Sequence, residues 1–75
     1  MNKERKRELL EVVDILDDAV TSIQDVIDEE QESFDNLPPG LQDSERGAKM
    51  EDAITFMEGL VSDIEAVEQK IKSYE

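Results

Sequence analysis

The side chains in this sequence that could do chemistry are carboxylates. The 75 residues include 21 Asp and Glu against 8 Lys and Arg, for a net charge of −13, with no histidine and no cysteine. Carboxylates can serve as general acids or bases, bind hard cations, or present negative charge to a basic partner. Acid–base catalysis needs a buried partner that tunes the carboxyl, and nucleophilic triads and Cys–His dyads need residues this chain lacks. The usual zinc ligands are missing too. A calcium loop would read D-x-[DN]-x-[DN]-G with a distal Glu; the acids between Asp28 and Asp35 have neither that spacing nor the glycine. Carboxylate di-metal bundles add Glu-x-x-His motifs, and there is no glycine-rich phosphate loop. The expectation is therefore no enzymatic activity and no cofactor or metal.

The third use of carboxylates fits better. From Leu9 to Glu45 there are twelve acids and no Lys or Arg. In the first half Asp14, Asp17, Asp18, Asp25, Asp28, Glu29 and Glu32 all fall off the apolar pattern described below. On a helix, neighbours three or four apart lie roughly 5–6 Å from one another, close to the phosphate spacing of a nucleic-acid strand. Such a rod of carboxylates could occupy the basic groove of a nucleic-acid-binding or defence protein, as a DNA mimic does. The competing reading is a solvated face that keeps the chain soluble. The same charge argues against binding nucleic acid directly, because phosphate contacts need Lys and Arg. It also argues against an anionic membrane surface. No apolar run approaches the ~20 residues of a membrane span, and the opening MNKERKREL lacks a signal-peptide core. A cytoplasmic protein is expected.

Two helices must position these acids. Leu9, Val13, Leu16, Val20, Ile23, Ile27 and Phe34 keep an a/d heptad spacing broken only by Glu30. Met50, Ala53, Met57, Leu60, Ile64, Val67, Ile71 and Tyr74 step by three and four throughout. The spacing predicts helices over about 3–33 and about 44–73, with a loop over about 34–43, in a single domain. Two long helices and one loop make an antiparallel helical hairpin, an all-α fold. A second stripe widens each face: Val12, Ala19 and Val26 on the first helix, Ile54 and Val61 on the second. In a lone hairpin these would face water, so two hairpins are expected to pair as a homodimeric four-helix bundle through them. The alternative is a groove kept for a helix of another protein.

The loop carries its own signals. Leu37 precedes a proline and is pushed to extended geometry, and Pro39-Gly40 marks a turn. Pro38-Pro39 could instead open a short helical turn. Asp43 or Ser44 can cap the second helix, with Glu45 in its first turn. Gly47 then falls inside that helix, where glycine costs about 1 kcal/mol against alanine; either something packs close to it or the first turn is irregular. Phe34, Leu37 and Leu41 would close the core. As a recognition tip, Leu37, Leu41, Arg46 and Lys49 would bind a partner, the two bases being the first after Arg7. Glu30 is placed to reach Arg46 or Lys49, or water.

The stretch FDNLPPGLQDSERGAKMEDAI resembles a segment of small acidic helical-hairpin proteins of Firmicutes phages and mobile elements, written there as NLPEGLQxSERGExMEEAI. The likeness covers roughly Glu32 to Val67, somewhat under half of the chain. Pro39 stands where an acid is expected, and Ala48-Lys49 where an acid and a small residue are expected. The resemblance implies a phage or mobile-element accessory protein and implies no chemistry.

Overall fold

A computed structural model describes residues 1–74. Among them the chain forms two helices and no strand: α1, Lys3–Asp35, and α2, Glu45–Ser73. They fold back on each other as a rod with Cα extents of 58 × 15 × 11 Å. The radius of gyration is 17.3 Å, against about 11 Å for a compact chain of this length. Neither helix is long and apolar enough to cross a membrane.

Local chemistry sets the helix ends. Asn2 caps α1, its side chain accepting from the Arg5 N–H at 2.8 Å. Ser44 caps α2, its hydroxyl oxygen accepting from the Gly47 N–H at 3.4 Å while its O–H donates to the Leu41 carbonyl. Lys70 and Lys72 in the last turn of α2 complement the helix dipole. The last turn of α1 has no base and holds Glu32 and Asp35, which work against the dipole.

The seam between the helices is narrow. Ile27, Ile54 and Val61 pack together, with Val20, Ile23 and Met57 against them, and Val13 is also buried. No large side chain among the described residues is fully buried. On α1 the buried positions belong to the expected a/d stripe. On α2 the seam is rotated by one row. Its most buried residues are Gly47, Ile54, Val61 and Glu68, seven apart, with Met50, Met57, Ile64 and Ile71 half-buried beside them. Ile54 and Val61 are therefore intrachain core, only 8% exposed, and the expectation that they face outward is corrected. Ala53, Leu60, Val67 and Tyr74 take the outer row instead, with Val67 and Tyr74 exposed. The physical reason lies at both ends of the seam row, where a glycine and a glutamate hide its heptad spacing from an apolar reading.

The long connection packs against both helices. The Leu41 N–H donates to the Pro38 carbonyl at 3.0 Å, and Gly40 has φ of 92°. Pro39 followed by a positive-φ glycine is the chemistry of a type II turn, so the prolines form a turn and not a helical start. A second turn closes with the Ser44 N–H on the Leu41 carbonyl at 3.1 Å. The Gln42 side chain donates to the Phe34 carbonyl at 3.3 Å, tying the loop to the end of α1. The Gln42 main-chain carbonyl lies over Gly47, and a Cβ there would sit 2.1 Å from its oxygen. This close approach accounts for a glycine inside the helix.

Candidate functional site

Helical geometry divides the hairpin surface into two faces. In an antiparallel pair, rows that flank the seam on equivalent sides of the two helices lie on one side of the rod. Val12, Ala19 and Val26 each precede a seam residue of α1, and Ala53, Leu60 and Val67 each precede one of α2. They therefore share a face, which the next row extends with Ile15 on α1 and Phe56 on α2. Ile15 and Phe56 are each 66% exposed, Val26 49% and Val67 46%. Among the exposed large apolar residues within the helices, Leu10 alone lies on the opposite side. The heptad stripes do not include Ile15 or Phe56; continuing the Val12, Ala19, Val26 stripe by three and four reaches Ile15.

The opposite face and the outer edge of α1 are acidic. Asp14, Asp18, Asp25, Asp28 and Glu32 are exposed there, and Glu29 borders the apolar face. Among the described residues the one ion pair is Lys49–Glu45, at 3.5 Å along α2. The outer acids of α1 thus have no counter-ion. Glu30 is half-buried and makes no ion pair with Arg46 or Lys49, since Lys49 turns to its own helix.

Asp17 is the acid that departs from the outer group. It is exposed, but it sits beside the seam next to the carboxyl of Glu68, where the two carboxyls can hold one proton between them in a hydrogen bond. That bond is the main cause holding the Glu68 carboxyl above the usual carboxylate range, followed by burial and the charge of Asp17. Lys72 acts in the opposite sense and Glu65 adds to the rise. Glu68 is only 6% exposed, and its Oε2 has no hydrogen-bond donor. Burial is the lesser cause because a two-helix seam covers this side chain with a single layer of neighbours. Glu68 was missed in the sequence because α2 is acidic throughout and only the rotated seam makes this acid an interior one.

The loop tip is divided. Leu41, Arg46 and Lys49 are exposed, while Leu37 and Phe34 are half-buried. Leu41, at 44% exposed, does not close the core as expected, because the second turn lifts it off the helix ends. Beside the loop, Gln31, Phe34, Glu51, Ile54 and Thr55 line an open cleft of about 300 Å³. Among the described residues no group of three or more carboxylates is gathered to hold a metal ion. The arrangement can offer two surfaces to other molecules, one acidic and one apolar. No protein-family model, curated protein or solved structure matches the chain.

Proposed function

We propose that this is a non-enzymatic, protein-binding accessory protein of a phage or mobile element, acting in the cytoplasm of a bacterial host. In this reading two hairpins pair as a dimeric four-helix bundle, and the acidic face of α1 occupies the basic groove of a nucleic-acid-binding or defence protein, inhibiting it. No cofactor, nucleic acid or membrane takes part. The observation that carries the reading is the state of the α1 acids. The outer ones are exposed and without counter-ions, and two of them occupy the last turn, where the dipole disfavours negative charge by about 0.3–1 kcal/mol each at low salt. Like charges at helical spacing add further small penalties. Such placement lowers stability, whereas the gain it offers is steering toward a positive surface.

The test is capture from nuclease-treated bacterial lysate at low and high salt, with the wild type and a variant carrying Asp14→Lys, Asp18→Lys, Asp25→Lys and Glu32→Lys. The expected result is one stoichiometric nucleic-acid-binding partner, lost at high salt and lost with the variant, whose helicity is unchanged. A partner that survives both changes moves the site to the loop tip, where Arg46→Ala should release it. A second reading, a self-assembling structural bundle whose charge serves only solubility, is favoured by the exposed apolar face, and capture of nothing but the chain itself would select it.

A further inference from the structure

The rod exposes more surface than a finished fold of its size. Its accessible area is 5693 Å², whereas a compact monomer of 8.5 kDa exposes about 4,700 Å². The excess is comparable with the ~800 Å² that one partner contributes to a standard interface. The side of the rod that carries the apolar rows also has about the required footprint, since 58 by 15 Å is roughly 900 Å².

Charge distinguishes this face from the remainder of the molecule. The rows that compose it, on α1 and α2 together, hold four bases (Arg5, Arg46, Lys49, Lys70) and three acids (Glu8, Glu29, Asp63), and a fourth acid, Glu30, lies on the half-buried row between them and the seam. With Glu30 counted it is neutral, and the whole net charge of −13 lies elsewhere. Two copies so strongly charged repel one another at every other surface. The charges at the loop end of the face are also sorted. At the loop end the acids Glu29 and Glu30 are on α1 and the bases Arg46 and Lys49 on α2. At the terminal end α1 carries both Arg5 and Glu8, and α2 carries Lys70 with Asp63 further in, so neither helix has a single sign there. Turning a second copy about an axis along the rod lays its α2 over α1 of the first, with both loops at one end. That operation lays the Glu29–Glu30 end of α1 beside the Arg46–Lys49 end of the partner copy's α2.

The geometry points to a second copy of this chain as the occupant of the apolar face, docked about a two-fold axis along the rod with both loops at the same end. This rests on the pairing proposed above and specifies its surface and orientation. Val12, Ile15, Val26, Phe56 and Val67 become interior, and the acidic faces of the two copies point away from each other. The bundle then presents two acidic surfaces on opposite sides.

The test uses the full chain in sedimentation equilibrium and in pulsed electron–electron distance measurement. Wild type should have twice the mass of one chain, 8.5 kDa, and association should hold or strengthen as salt is raised, because screening relieves repulsion between the acidic bodies. Ile15→Ser with Phe56→Ser should cut the association constant roughly a hundredfold or more, since each large apolar side chain is lost twice per dimer. Both side chains are exposed in the single hairpin, so helicity should remain. A spin label on Asp43→Cys should report loop tips within about 30 Å of each other, bundle neighbours lying ~10 Å apart. Loops at opposite ends would separate them by nearly the rod length of 58 Å. A dimer that ignores the double substitution overturns the assigned face and leaves pairing intact. Labels near the rod length overturn the orientation. A monomer at every salt concentration overturns pairing and inference together.

Discussion

Replacing Gly47 with alanine sets two physical arguments against each other. Helix propensity alone says that Gly47→Ala in the first turn of α2 gains up to about 1 kcal/mol. The tertiary structure says the reverse. The added Cβ would lie 2.1 Å from the Gln42 carbonyl oxygen, 2.7 Å from its carbon and 2.9 Å from the Leu41 oxygen. Ordinary contacts between such atoms are about 3.5 Å, so the Gln42 carbonyl must retreat by more than ~1 Å. All three atoms are backbone. The segment that carries them is held by the Leu41 N–H on Pro38, the Ser44 N–H on Leu41 and the Gln42 side chain on Phe34. Overpacking against a constrained neighbour costs about 1–3 kcal/mol. Setting the propensity gain against the upper part of that range leaves a net loss of about 1–2 kcal/mol, or a melting temperature lower by roughly 4–16 °C for a chain of this size. Gly59→Ala is the internal control. Nothing lies within 4 Å of a Cβ at that position, so it should stabilise by about 0.5–1 kcal/mol. Thermal and urea unfolding followed by far-ultraviolet circular dichroism would read both, at one fixed protein concentration because association shifts the midpoint. If Gly47→Ala stabilises as much as Gly59→Ala, the account of the loop packed over the helix start is wrong.

Glu68 yields a prediction with a definite sign. Its carboxyl is held above its unfolded value of 4.5 by Asp17, then by burial, so the native state keeps that proton more tightly than the unfolded chain does. The stabilisation is complete below about pH 4.5 and is lost as pH rises through the folded pKa. Glu68→Gln keeps a neutral hydrogen-bonding side chain, so its urea midpoint should exceed that of wild type at neutral pH and vary less above pH 4.5; identical profiles would remove Glu68 from the account. Ile54→Ala should cost about 2–4 kcal/mol as a seam residue, while Val67→Ala should cost little in a dilute monomer; equal effects in urea titrations would contradict the rotated seam. Ser44→Ala should lose about 1 kcal/mol by removing the α2 cap, and a change within error would mean the loop turns hold the helix start unaided.

The two helices were legible because heptad spacing is a local property that any amphipathic segment must display. The turn was legible for a similar reason, since Pro39-Gly40 prefers one geometry whatever surrounds it. The acids of α1 were legible as an outer face because each falls off the apolar stripe. Asp17 and Glu29 were the exceptions: the neighbour of Asp17 across the seam is 51 residues away in sequence, and Glu29 shares the row of Ile15 at the apolar face. Gly47 was visible as an anomaly, but its cause was not, because the atom that would strike a Cβ belongs to a loop whose path no local rule supplies.

What the sequence determined by itself was two amphipathic helices, a proline–glycine turn and an acidic surface without the residues for a zinc site or a nucleophilic triad. What the tertiary structure decided was the rotation of α2. The row Met50, Met57, Ile64 and Ile71 belongs equally to two stripes, one completed by Ala53, Leu60, Val67 and Tyr74, the other by Gly47, Ile54, Val61 and Glu68. Apolar content favours the first, and the fold uses the second. The loop is tied to α1 through Gln42 and approaches α2 closely where glycine leaves room. That approach turns the Gly47 row toward the seam and leaves the more apolar row outside. Periodicity records that a helix has an apolar side; which part of that side meets its partner depends on contacts between residues far apart in the chain.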